Sequence, residues 1–224
     1  MRPDGWHGSG AAGGRVRRRA WTRLGAVLAV SGTLLAACAW PASRMPGVGL
    51  YFEPVSFSAT PLGGPLRPND LAVVRAVALD ELRRAFAGYR IAISDRRDAR
   101  FTVGVVQDVR DLRTTRRMSV AGASRAVSGF GGSGTVNFSL LAGAAVSCAP
   151  DGADRRSLIQ AIGRGVGRAA AHEAAHQLLP TAPLHESRDL ESYEYRAASR
   201  CQQYFGPMHW DLAGPLLDAR LGRE

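Results

Sequence analysis

No lysine occurs anywhere in these 224 residues, so every basic side chain other than histidine is an arginine. The absence excludes a phosphate-binding loop at the glycine-rich run of residues 163–167 (GRGVG), which also lies inside a helical pattern rather than behind a strand. Arginine-only basicity beside abundant alanine and glycine fits a GC-rich coding bias better than a selected patch. The formal charge of +10 is therefore a weak pointer to nucleic acid, and no interleaving of aromatic and basic residues supports one. Long apolar runs are also missing: the longest candidate, residues 24–37, falls short of the roughly 20 residues that cross a bilayer. Internal repeats are absent, which leaves one domain of ordinary size.

What is present begins with that short apolar run. It follows a basic stretch at residues 15–23 and ends in Leu35-Ala36-Ala37-Cys38, an order that suits an export signal. LAAC resembles the lipobox of bacterial lipoproteins. The resemblance implies a signal peptide over 1–37, lipidation of Cys38 as first mature residue, and anchorage in the cell envelope, at the outer membrane or cell surface. Removing 1–37 lowers the formal charge to +5. Residues 38–49 read as a tether and 50–224 as the folded domain. Only three cysteines occur; with Cys38 lipidated, Cys148 and Cys201 remain, either as a disulfide or as two buried thiols.

The domain's pattern alternates element types. Strands are expected at 50–57, 90–94, 101–109 and 135–140, with 110–134 a polar surface loop holding at most one short strand. A helix capped at Asn69 or Asp70 carries Leu71, Val74, Ala78, Leu82 and Phe86 on one face and stops at Gly88. A longer helix starts near Asp151 or Asp154 and ends at Pro180, with Gly163 and Gly167 on one face for a close approach to the sheet. Helices at 192–204 and 211–221 complete the expectation. The class is α/β (α+β): a mixed twisted sheet backed by two long helices, with a smaller C-terminal helical part.

Histidine is scarce too. Beyond residue 37 only His172, His176, His185 and His209 remain, and three of these fall within fourteen residues. His172 and His176 belong to an HExxH run on the long helix, where a spacing of four projects both imidazoles from one face toward one ion. Glu173 sits at the edge of that face, placed to hydrogen-bond a water rather than the ion and to act as general base. Zinc is the expected metal. A third ligand is needed, and His185, Glu194 and Asp189 are all chemically acceptable.

The stretch HEAAHQLLPTAPLHESRDLESYEY resembles the metzincin clan of zinc proteases, whose pattern is HExxHxxGxxH followed by an aspartate and a Ser-hydrophobic-Met turn. The resemblance implies a zincin-like fold and peptide-bond hydrolysis. It also implies His185 as third ligand, Asp189 behind a ligand imidazole, and Ser192-Tyr193 in the turn. Three departures stand out: His185 comes three residues late, no glycine precedes it, and Glu194 occupies the methionine's place. Glu194 also lies eighteen residues after His176, which keeps a gluzincin-like site open. Tyr193 and Tyr195 read either as oxyanion donors or as packing residues of the turn. The expected partners are a peptide or protein substrate and a membrane reached through the lipid, without nucleic acid, and the chain is expected as a monomer. A metal-binding envelope lipoprotein without turnover is the rival.

Overall fold

The computed structural model describes residues 45–110, 114, 116–127, 131–182, 184–195 and 201–224. The expected signal segment, Cys38 and most of the tether lie outside them. The described chain opens with strand β1 (Gly47–Phe52), a minimal hairpin of β2 (Ser58–Ala59) and β3 (Gly64–Pro65), and helix α1 (Pro68–Ala85). Strands β4 (Ala92–Ser94), β5 (Phe101–Val106), β6 (Gly122–Val127) and β7 (Gly131–Asn137) follow. Four helices end it: α2 (Phe138–Ser147), α3 (Arg155–Leu178), the single turn α4 (Gln202–Phe205) and α5 (Ala213–Leu221). The result is a mixed α/β domain.

Five strands form one sheet in the order β4, β1, β5, β7, β6. The first four run parallel and β6 pairs antiparallel with β7 at the edge. Parallel strands covered on their faces should be apolar, and Val48, Val103, Val105 and Val136 are fully buried. The domain begins earlier than expected, since Gly47 already pairs with Ala92 of β4, inside the stretch read as tether.

Three stretches differ from the sequence reading, the first going beyond the single short strand it allowed. Residues 122–127 and 131–134 look like a loop because they are mostly glycine, serine and alanine, yet they are strand. The small residues answer to their neighbours: a side chain on Gly132 would collide with Gln177 of α3, and one on Gly134 with Ser124 of β6 as well as crowd Gln177. The strand expected through residue 140 stops at Asn137, whose side-chain carbonyl accepts from the Leu140 amide at 3.2 Å and starts α2. Of the helix expected at 192–204, only Gln202–Phe205 is helical among the described residues; 192–195 is a turn and 196–200 lies outside them.

Helix α3 is the axis of the domain. Asp154 caps it by accepting from Ser157 N at 2.7 Å, and the helix is buried on almost every side, as its alanine and glycine content allows. The Gly163 and Gly167 face meets α1 rather than the sheet: an added Cβ on Gly167 would overlap the Ala78 carbonyl and lie 2.7 Å from Glu81 Cβ. Arg168 is held within this contact. Its Nε donates to Glu81 Oε2 at 3.0 Å, and its Nη1 donates to the carbonyls of Gln202, Gln203 and Gly206, docking α4 on α3. Cys148 at the end of α2 and Cys201 before α4 are joined by a disulfide. No helix among the described residues is long and apolar enough to cross a membrane.

Candidate metal centre

The last two turns of α3 carry His172, Glu173 and His176 toward the edge strand β6. After Leu179 the chain bends back through two backbone hydrogen bonds, Ala182 N to Leu179 O at 3.0 Å and Leu184 N to Ala182 O at 2.9 Å. Leu184, 2% exposed, is sunk in the core and delivers the exposed His185 beside it. The three Nε2 atoms then form a triangle: 3.0 Å from His172 to His185, 3.1 Å from His172 to His176, and 3.2 Å from His176 to His185.

The spacing of this triangle suits a shared cation as well as hydrogen bonds between the rings, and the tautomers decide between them. His172 Nδ1 lies 2.8 Å from the Tyr193 carbonyl, which can only accept, so the ring's proton sits on Nδ1 and Nε2 presents a lone pair. Burial lowers the pKa of His176, and the nearby His185 adds to the effect, which favours the neutral imidazole a metal requires. With His176 and His185 also bare of a proton at Nε2, three lone pairs would face one point and a cation would gather them. Tetrahedral zinc, at about 2.0–2.1 Å from each nitrogen, spaces its ligands about 3.3–3.4 Å apart, close to the triangle found. The donor set therefore fits zinc.

Glu173 is 5% exposed and lies over β6. Ser124 Oγ, on that strand, is 2.5 Å from Glu173 Oε2 and 3.0 Å from the Glu173 carbonyl oxygen. Oε1 takes no hydrogen bond among the described residues and rests against Gly122, where an added Cβ would overlap it and lie 2.8 Å from Cδ. Burial pushes the carboxyl up to about 7, with the Ser124 hydroxyl pulling it down. His172, Glu173 and His185 share a cavity of about 390 Å³ with Tyr193, Tyr195 and Met208.

The remaining candidates are placed elsewhere. Glu194, with no exposed surface, is not among the groups within ligand distance; its carboxylate accepts from the amides of Asp211 and Ala213 and from the Ser192 hydroxyl. Asp189 pairs with His209 Nε2 at 2.8 Å rather than with a ligand imidazole. Tyr193 packs on Trp210, ring centroids 4.8 Å apart, and what it offers His172 is its backbone carbonyl. Ser124 and that carbonyl were invisible in the sequence, the first because its strand read as loop. The sequence matches no protein-family model, no curated protein and no solved structure.

Proposed function

We propose that this chain is a zincin-like, zinc-dependent peptide-bond hydrolase, exported and held in the cell envelope by a lipid on Cys38. The observation that carries the reading is the convergence of three imidazole nitrogens within 3.2 Å, two of whose rings line the cavity that also holds Glu173. His172, His176 and His185 would hold the zinc. When bound, zinc supplies Lewis acidity to a substrate carbonyl and to the attacking water.

The chain's own residues supply the rest. Glu173 Oε1 takes the proton of the attacking water and returns it to the departing amine. Ser124 anchors the other carboxylate oxygen, so the base does not swing away between the two transfers. Gly122 leaves room for it. Strand β6 pairs with β7 on one side only among the described residues, so its outer edge suits an extended peptide added along the cleft.

Glu173→Gln keeps the volume and removes the base. It is expected to retain zinc and to lose about 10²–10⁴-fold in peptide cleavage. His185→Ala is expected to lose zinc, while Glu194→Ala that still folds retains some. A wild-type protein that loads zinc yet cleaves no member of a broad peptide library would instead be a metal-binding envelope lipoprotein.

A further inference from the structure

We infer that Glu194 is a positioning residue for the metal centre: its buried carboxylate fixes the peptide plane whose carbonyl holds His172 in the tautomer that ligates. The inference rests on the metal-centre reading and not on hydrolysis.

A carboxylate with no exposed surface is costly unless every lone pair is used. Here Asp211 N reaches both oxygens at 3.0 Å, Ala213 N reaches Oε1 at the start of α5, and the Ser192 hydroxyl reaches Oε2. Helix α5 adds the favourable end of its dipole. These bonds lock the turn of residues 192–195 to residues 211–213. The turn is also sewn to the neighbouring segment by Tyr193 N donating to His209 O at 2.8 Å and His209 N donating to Glu191 O at 3.1 Å.

The link to the metal runs through one peptide unit. The Glu194 amide donates to Ser192 Oγ at 3.1 Å, and that same hydroxyl donates to Glu194 Oε2. Because the peptide is planar, fixing its N–H direction fixes the opposite direction of the Tyr193 carbonyl. That carbonyl accepts from His172 Nδ1 at 2.8 Å, so in the neutral ring the proton is on Nδ1 and not on Nε2. Orienting partners of this kind are typically worth about 10–100-fold in metal affinity.

The test measures Zn²⁺ affinity of the full chain by competition with a chromogenic chelator, in Glu194→Gln, Ser192→Ala and, as a control, Val74→Ala. Val74 is fully buried on α1 and lies against α3 near Gly163, away from the histidines. Glu194→Gln and Ser192→Ala are expected to weaken Zn²⁺ binding about 10–100-fold. Val74→Ala should lower Tm at least as much while keeping the wild-type affinity. The inference is overturned if the first two variants bind as wild type, or lose affinity only to the extent that Val74→Ala does. Imidazole ¹⁵N shifts of metal-free protein separate this from failure of the metal reading. If the wild type binds no Zn²⁺, the metal centre falls, and the relay stands only if Glu194→Gln or Ser192→Ala moves His172 from the Nδ1–H toward the Nε2–H tautomer. Unchanged shifts in both variants would reject it.

Discussion

At the scale of single residues, the site depends on how little room surrounds Glu173. Gly122 is not required by its backbone conformation; it is required because the glutamate's carboxylate fills the space a Cβ would take. Gly122→Ala should therefore push the carboxylate off its position while leaving the three imidazoles untouched. Misplacing a reacting group by about 1 Å can cost roughly 100-fold, so cleavage should fall by about that factor with zinc content unchanged. Equal loss of zinc and activity would show that the strand, rather than the base, had moved. The grouping of the imidazoles and the glutamate was legible in the sequence because helical spacing puts His172 and His176 on one face with Glu173 at its edge. The Tyr193 carbonyl was not, since every residue carries one and only the fold selects which is used. Glu194 stands open as an alternative ligand on spacing alone; in the fold its oxygens accept from the Asp211 and Ala213 amides and the Ser192 hydroxyl.

At the scale of elements, α3 is held by the Arg168 to Glu81 pair, whose side chains are 8% and 3% exposed. Arg168→Met would leave Glu81 buried with only Arg84 Nη1, at 2.7 Å, as cation, and would orphan the carbonyls that dock α4. The expected loss is about 3 kcal/mol, near the low end for breaking a buried pair because Arg84 remains. Adding Glu81→Leu should restore most of it, and urea denaturation of the single and double variants decides the point. A double variant no more stable than the single would show that the docked carbonyls, not the stranded charge, dominate. Both long helices were readable from apolar periodicity. Strand β6 and helix α2 were not, for opposite reasons. Gly122, Ala123, Ser124 and Ala126 of β6 are small, which looks like a loop; the first residues of α2 continue the alternation of β7 by coincidence, and only the Asn137 cap marks the change.

At the scale of the whole molecule, two kinds of constraint set the stability window. The Cys148 to Cys201 disulfide closes a span of 53 residues, for which loop-closure entropy gives about 4 kcal/mol; replacing both cysteines by serine should cost about 2–4 kcal/mol in chemical denaturation. The pH limits follow from groups whose pKa changes on folding. Arg155 holds the Asp70 carboxyl below its ordinary 3.8, and the Ser157 amide does the same for Asp154 at the head of α3. Both groups have depressed folded values, so their contribution is present above pH 3.8 and is lost as pH falls through those values. The phenols act on the other side. Burial raises Tyr204, Tyr193 and Tyr89 above their ordinary 10.0. Raised folded values mean that this contribution is complete below pH 10 and is lost as pH climbs toward them. With metal removed by chelator, the urea midpoint should decline at the acid end and above pH 10, with Glu173, whose folded value is also raised, adding an intermediate step down as pH rises toward 7. Tyr204 is fully buried beside Gly165 and carries the largest of the three shifts, so Tyr204→Phe should weaken the alkaline decline and leave the acid one in place. An alkaline limb identical in the two proteins would mean that unfolding at high pH starts elsewhere.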